Sequence, residues 1–216
     1  MKHIHSPPTG LDLIYRDDSL IVVNKPAGLL AVPGRGVDKQ DCLASRVQAE
    51  FPDALVVHRL DMATSGLLLF ARGAEMQRRL SHLFREREIQ KRYVAVVAGR
   101  VELSSGEIDL PLVGDWQNRP LQKVDFATGK PSLTRYSLLA HDAATDTSRV
   151  QLEPATGRTH QLRVHMAASG HPILGDALYG KHAKCMAERL LLHASALSFA
   201  HPLSGEPLML ASEPPF

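Results

Sequence analysis

Apolar positions recur in two rhythms along this chain, one of strands and one of helices. Residues 11–15 and 20–24 are short apolar runs split by Asp17-Asp18-Ser19, and turn-forming side chains between two such runs predict a β-hairpin. Lys25-Pro26-Ala27-Gly28 closes that unit, because proline cannot donate to a strand ladder and glycine admits a turn. A Gly-rich loop over 33–39 and a short helix over 42–51 follow. Residues 55–57 and 67–71 read as strands, so the polar stretch 58–66 between them must form a loop. Met76, Leu80, Leu83 and Phe84 fall at helical spacing, which predicts an amphipathic helix carrying Arg78, Arg79 and Arg85 on its other face. Residues 93–98 return as a strand.

The second half alternates in the same way. Residues 132–139 and 149–153 predict neighbouring antiparallel strands around an Ala/Asp/Thr loop. Residues 159–169 predict a helix, with Gly170 as its stop and Pro172 just beyond. Residues 190–200 and 207–211 pair as a final hairpin around 202–206. Strands outnumber helices and hairpins dominate, so the expected fold class is α+β, a largely antiparallel mixed sheet with flanking helices and loops. The regular β-α-β alternation of a doubly wound α/β fold is missing. No internal repeat or low-complexity segment interrupts the pattern.

Composition narrows the class without changing it. The 216 residues are 44% hydrophobic and 22% charged, ordinary for a globular chain of one large domain or a compact pair. A chain of this length buries roughly 70% of its unfolded surface and needs no covalent staples. Cys42 and Cys185 lie far apart and read as reduced thiols of a cytosolic protein. Residues 1–10 lack the apolar segment of a signal peptide. No apolar run approaches the roughly 18 residues of a membrane span. A soluble cytoplasmic protein is expected.

Net charge is only +2, but its distribution is uneven. Between Arg72 and Arg100 stand eight basic residues against three acids, followed by Arg119, Lys123, Lys130 and Arg135; the stretch 102–115 is acidic. Local basic clusters on a nearly neutral chain fit a phosphate-tracking face, and equally a solvated helix surface.

The segment richest in chemistry is His58-Arg59-Leu60-Asp61-Met62-Ala63-Thr64-Ser65-Gly66. It sets a base, a guanidinium, a carboxylate and two hydroxyls in a loop closed by glycine. By local chemistry alone Asp61 is either a turn cap bonded to its own backbone or a catalytic carboxylate. A kinase catalytic loop is excluded, since no Gly-rich phosphate loop precedes it and the chain is too short. The eleven histidines raise a metal site, but His160 and His165 are five apart rather than four and no HExxH motif occurs, so no metal is expected. His58 and His193 read as structural partners.

HRLDMATSG followed by LLLFAR resembles the central motif of the RluA family of pseudouridine synthases. VVNKPAGLLAVPG resembles that family's N-terminal motif and FREREIQKRYVAVVAG its tyrosine-bearing strand. GRTHQLRVHMAASGHPILGD is similar to its arginine-bearing segment and LLLHASALSFAHP to the C-terminal strand lining the uracil pocket. The resemblance implies an isomerase that converts uridine to pseudouridine within RNA, without cofactor or metal. The N1–C1′ bond breaks, the base rotates and C5 bonds to C1′.

Carried over residue by residue, the resemblance makes Asp61 the catalytic aspartate. A carboxylate can attack an electrophilic carbon or remove a ribose proton, and both roles stay open. Either needs the ionised form, and since burial alone would raise the pKa a cation is required nearby. Arg163 matches the family's arginine that pairs with this aspartate. Tyr93 matches its active-site tyrosine, whose ring can stack on uracil, and Leu190–Leu192 would supply the apolar wall opposite. Arg59 matches the arginine that fills the space left by a flipped nucleotide, as a planar guanidinium can. Arg78, Arg79, Arg85, Arg87 and Lys91 would hold the RNA backbone.

Met62-Ala63 and the stretch GDWQNRPLQKVDFATGKPSLTRY look most like the RluA subgroup. That subgroup implies two targets, a tRNA anticodon stem-loop at uridine 32 and a 23S rRNA hairpin at uridine 746. The chain begins almost directly with the first hairpin, so residues 1–216 are expected to form a single catalytic domain without a separate N-terminal RNA-binding domain, acting as a monomer. Two rivals remain. One is an RNA glycosidase, for which Asp176 would be the second carboxylate; the other is a non-catalytic RNA-binding protein.

Overall fold

The computed structural model describes residues 10–216; the stretch 1–9, read above as lacking a signal peptide, lies outside the described residues. The strands, in chain order, are β1 (Leu13–Arg16), β2 (Leu20–Lys25), β3 (Ala54–Val56), β4 (Ser65–Arg72), β5 (Gln90–Ala98), β6 (Ser105–Asp109), β7 (Leu112–Gly114), β8 (Gln122–Val124), β9 (Leu133–Asp142), β10 (Thr147–Pro154), β11 (Leu192–Ala200) and β12 (Pro207–Ala211). The helices are α1 (Leu43–Glu50), α2 (Gly73–Glu86) and α3 (Gln161–Ala168). Contacts divide the chain into two compact units, one of residues 10–90 with Ala194–Pro215 and one of Lys91–His193 with Phe216.

In the first unit the strands run β1-β2-β4-β11, with β3 pairing β4 and β12 pairing β11. The β1–β2, β2–β4, β3–β4 and β11–β12 pairings are antiparallel. The first hairpin forms because Asp17 caps its turn, its carboxylate accepting from the N–H groups of Ser19 and Leu20 at 2.7 and 2.8 Å. Leu20 to Val23 and Leu67 to Ala71 are all fully buried. Both strands are therefore central and covered on both faces, which is why their sequences read as continuous apolar runs rather than alternating ones. Leu20, Val22, Leu67 and Leu69 pack with Met76 and Leu80 of α2 and with Leu197 and Phe199 of β11. The helical spacing read from Met76 and Leu80 thus faces the core, leaving the arginines outward.

In the second unit the order is β5-β10-β9-β6, with β7 and β8 a separate two-stranded ribbon. β10 pairs antiparallel with both β5 and β9. The buried α3 is stitched to this sheet by Gln161. Its amide donates to the Leu133 carbonyl and Thr134 Oγ1 and accepts from Thr156 Oγ1 and the Arg158 N–H, at 2.7–3.1 Å. His165 is also committed, one ring nitrogen to Thr134 Oγ1 at 2.9 Å and the other to the Leu110 carbonyl at 3.0 Å. Burial pushes its pKa below the usual 6.5, so it sits neutral in the core. The α+β class and the hairpins expected from the sequence are present; β6, β7 and β8 were not anticipated. Among the described residues no helix is long and apolar enough to cross a membrane.

Gly66 marks where the sheet tolerates no side chain. Its φ is +114° and a Cβ there would stand 2.3 Å from the backbone oxygen of Ala194 on β11. Gly66→Ala is expected to lower stability by about 3 kcal/mol or more, moving the thermal midpoint down by roughly 6–12 °C. A melt within a degree or two of the wild type would show that β4 and β11 separate more easily than this contact implies.

Candidate active site

Asp61 lies in the loop between β3 and β4, half-buried, with Arg59 exposed two residues before it. Polar residues here cannot follow either strand, and the chain is pinned at several points. The Thr64 N–H donates to the Asp61 carbonyl at 3.1 Å, closing a turn directly after the carboxylate. His58 fixes the entry to the loop. Its Nε2 accepts from the Leu69 N–H at 3.0 Å, which leaves the ring proton on Nδ1, and its ring packs on Phe84 of α2 at 4.5 Å between centroids.

The strongest restraint is Lys25, at the end of β2. It is fully buried, and its ammonium donates to the carbonyls of Pro26, Leu29 and Met62 at 2.9, 2.8 and 3.1 Å. The Met62 carbonyl also accepts from the Gly28 N–H at 2.8 Å. One cation therefore ties the Pro26–Leu29 turn to the residue following Asp61. A lysine is almost never buried without such pairing, and three carbonyls match the three hydrogens of an ammonium.

The other predicted residues belong to the second unit. Tyr93 is half-buried on β5, opposite Leu152 of β10. Arg163 is buried on α3, and its guanidinium grips Asp176 bidentately, Nε to Oδ2 at 2.8 Å and an Nη to Oδ1 at 2.7 Å. The guanidinium carbon stands 5.2 Å from the centroid of the Tyr179 ring. Asp176 accepts further from the Leu178 and Tyr179 N–H groups at 2.9 and 3.1 Å. Burial pushes its carboxyl pKa up, but the Arg163 guanidinium and those two N–H groups outweigh burial and hold it below the usual 3.8. Leu190 and Leu192 are buried, while Leu191 is partly buried against Ala98, Leu174 and Ala183.

The basic residues assigned to the RNA backbone are exposed, apart from the half-buried Lys91, and several have nearby acids. Arg78 and Arg79 both pair with Glu75, and Arg85 pairs with Glu86. Arg79 also donates to the Pro202 carbonyl at 3.1 Å. Arg87 is the left-handed C-cap of α2 and Lys91 the second residue of β5.

Sequence reasoning missed two features of this machinery. Lys25 was read only as the end of a strand; nothing in NKPAG says that its amine is buried. Asp176 was considered as a second acid, whereas it is the fixed counter-charge of Arg163.

The sequence matches the RNA pseudouridylate synthase family over residues 19–168. It is 52% identical over 204 residues to the dual-specificity RNA pseudouridine synthase RluA of Escherichia coli (strain K12), covering 93% of each chain. Its identity to the enzyme of the same name from Pasteurella multocida (strain Pm70) is 49% over 215 residues, 98% of each. Among solved structures it is similar to human RNA pseudouridylate synthase domain containing 1, with a TM-score of 0.82 and 31% identity over 99% of this chain and 87% of that one.

Two outcomes test the restraints. Lys25→Met strips three carbonyls of a buried donor and is expected to cost about 3 kcal/mol in urea denaturation; an unchanged midpoint would mean that the carbonyls find other donors. For Asp176, the depressed pKa means that its contribution is present above the unfolded value of 3.8 and is lost as pH falls through the lower folded value. Asp176→Asn is expected to be about 3–5 kcal/mol less stable than wild type at pH 7. That gap should narrow steadily below pH 4; a constant gap down to pH 3 would contradict the assignment.

Proposed function

Because the chain belongs to the RNA pseudouridylate synthase family, we propose that it isomerises uridine to pseudouridine in structured RNA with Asp61 as its catalytic carboxylate. The observation that carries this reading is the Asp61 loop itself. Within a matched family segment, Asp61 stands half-buried on a turn whose backbone is held by the buried Lys25, so the chain that carries it is held before substrate arrives. Fixed placement of a reacting group is what converts a bimolecular encounter into an effectively unimolecular step.

The reaction needs the N1–C1′ bond to break, the uracil to turn in place, C5 to bond to C1′, the C5 proton to leave and N1 to gain a proton. Asp61 serves as nucleophile or as general base. By the family motifs Arg163 is assigned as the cationic partner of the catalytic aspartate and Tyr93 as the ring that stacks on the uracil. Arg59, exposed beside Asp61, fills the gap left by the extruded nucleotide, whose unstacking costs a few kcal/mol. Arg78, Arg79, Arg85, Arg87 and Lys91 contact phosphates; their partners Glu75 and Glu86 are exposed, and such surface pairs, worth about 0–1 kcal/mol, exchange readily for phosphate. No metal or cofactor is assigned a step.

The relatives' dual specificity supports two substrates, uridine 32 of a tRNA anticodon stem-loop and uridine 746 of a 23S rRNA hairpin. We further propose that residues 1–216 work as one catalytic domain, as a monomer in the cytoplasm. A two-carboxylate glycosidase is disfavoured because Asp176, its nearest second acid in the sequence reading, is bound on both oxygens by Arg163.

RNA labelled with tritium at uracil C5 decides between these chemistries. Wild type is expected to release label while the base stays attached, and Asp61→Asn to abolish release with RNA affinity retained within a few-fold. Free uracil in the digest would indicate a glycosidase, and full activity in Asp61→Asn would remove Asp61 from the mechanism.

A further inference from the structure

The sheet of the second unit ends on an unpaired edge. β6 pairs antiparallel with β9 on one side and, among the described residues, with no strand on the other. The Leu138 N–H donates to the Ser104 carbonyl at 2.8 Å and the Leu110 N–H to the Ser132 carbonyl at 3.2 Å. Bonded residues alternate along an antiparallel ladder. The even-numbered residues of β6 therefore bond to β9, and Ser105, Glu107 and Asp109 turn their main-chain N–H and C=O groups outward. An open row of this kind is a template for another strand.

Side chains alternate as well. Gly106 and Ile108 lie opposite Tyr136 and Thr134, and Thr134 bonds to Gln161 and His165, so this face of the strand is the one turned towards α3. On the same side is a hollow of about 220 Å³ whose apolar lining is Val101, Leu103, Ile108, Tyr136 and Met166. Leu103 is 65% exposed, although large apolar side chains are mostly covered in this unit. The Tyr136 ring lies across Gly106, where a Cβ would stand 2.6 Å from its Oη, so only glycine leaves the ring room to form a wall of the hollow. The opposite face of β6 carries Ser105, Glu107 and Asp109, all exposed.

Charge decides between occupants. Residues 101–115 hold four acids (Glu102, Glu107, Asp109, Asp115) and no Lys or Arg. Glu102 and Glu107 meet Arg100 and Arg135 in exposed pairs of 3.7 and 2.9 Å, and Asp109 has no ion pair among the described residues. RNA is disfavoured, because its phosphates would face these carboxylates. A second copy is disfavoured too. Pairing β6 with its own counterpart brings Glu107 and Asp109 of both copies onto one face, and like charges across a ladder destabilise it. A cationic segment of another protein meets neither objection.

We propose that β6 accepts an extended segment of a partner protein as a further strand, and that this segment alternates cationic and apolar residues. Its main chain bonds to Ser105, Glu107 and Asp109, its cations lie beside the two carboxylates, and its apolar side chains reach the hollow on the other face. No residue assigned to the reaction or to RNA takes part, so this edge stands apart from the catalytic reading.

The probe is a capped, fluorescein-labelled heptapeptide, Lys-Val-Lys-Leu-Lys-Val-Lys, titrated into the full chain and followed by anisotropy. Saturable binding is expected, weakened about tenfold by Glu107→Lys and lost when every lysine of the peptide is replaced by glutamate. A peptide of the same composition with its lysines in one block should bind about tenfold more weakly, since it cannot place cations and apolar groups on opposite faces. Amide exchange in the complex should slow at Ser105, Glu107 and Asp109, whereas Gly106 and Ile108 are already held by β9. N-methylation of one alternate set of the peptide's N–H groups should abolish binding, and methylation of the other set should leave it. Absence of saturable binding would overturn the proposal. Equal binding by the block-ordered peptide, or equal tolerance of both methylated sets, would overturn it in favour of diffuse charge attraction. Slowed exchange at the three residues on adding an anticodon stem-loop RNA would replace it with an RNA-binding face. The same slowing on raising protein concentration without peptide would replace it with self-association.

Discussion

A fully buried ammonium is the restraint on which the first unit's chemistry depends. Taking a lysine out of water costs several kcal/mol even after relaxation, and Lys25 recovers that through three carbonyl oxygens contributed by two separate stretches of chain. The charge cannot leave without exposing those carbonyls, and the carbonyls cannot move without loosening its hold. The Pro26–Leu29 turn and the residue after Asp61 thereby behave as one body. The backbone around Asp61 is thereby held at one end, with His58 holding the other end against β4 and α2.

The second unit solves a similar problem with an ion pair. Arg163 stands on a helix buried from Gln161 to Met166, where an unmatched guanidinium would not be tolerated. Asp176 supplies the match, and the N–H groups of Leu178 and Tyr179 donate to the same Oδ1 that accepts the Arg163 Nη. The pair need not add net stability to be useful. It fixes the plane of the guanidinium, and Tyr179, bonded through its hydroxyl to Gln122 and His160, packs against that plane.

Much of the fold was legible because its main elements obey simple periodicities. β2 and β4 announce themselves as unbroken apolar runs, since both faces are covered, and α2 by Met76 and Leu80 at helical spacing. The segment from 102 to 130 was not legible. Its strands are three to five residues long, partly exposed and held by turn hydrogen bonds from Asp115 and Asp125, so no apolar rhythm marks them. The Asp61 and Arg163 segments stood out as motifs, but their supporting partners did not. Carbonyl acceptors carry no sequence signature, and Asp176 lies thirteen residues from Arg163. A residue's type can suggest its chemistry, whereas its partner is set by the fold.

The same contrast separates two kinds of charge in this protein. Lys25, Arg163 and Asp176 are buried and committed; changing any of them leaves a stranded group. Arg78, Arg79 and Arg85 are exposed and paired with Glu75 and Glu86 in contacts worth about 0–1 kcal/mol each. In the proposed reading phosphate replaces those glutamates at little cost and the face of α2 adds affinity for RNA. Phosphate contacts carry no sequence information by themselves, and every RNA offers the same phosphates. Discrimination between one uridine and another must then come from parts that hold a shape: the pinned Asp61 loop and elements stiff enough to reject a strand that does not fit them.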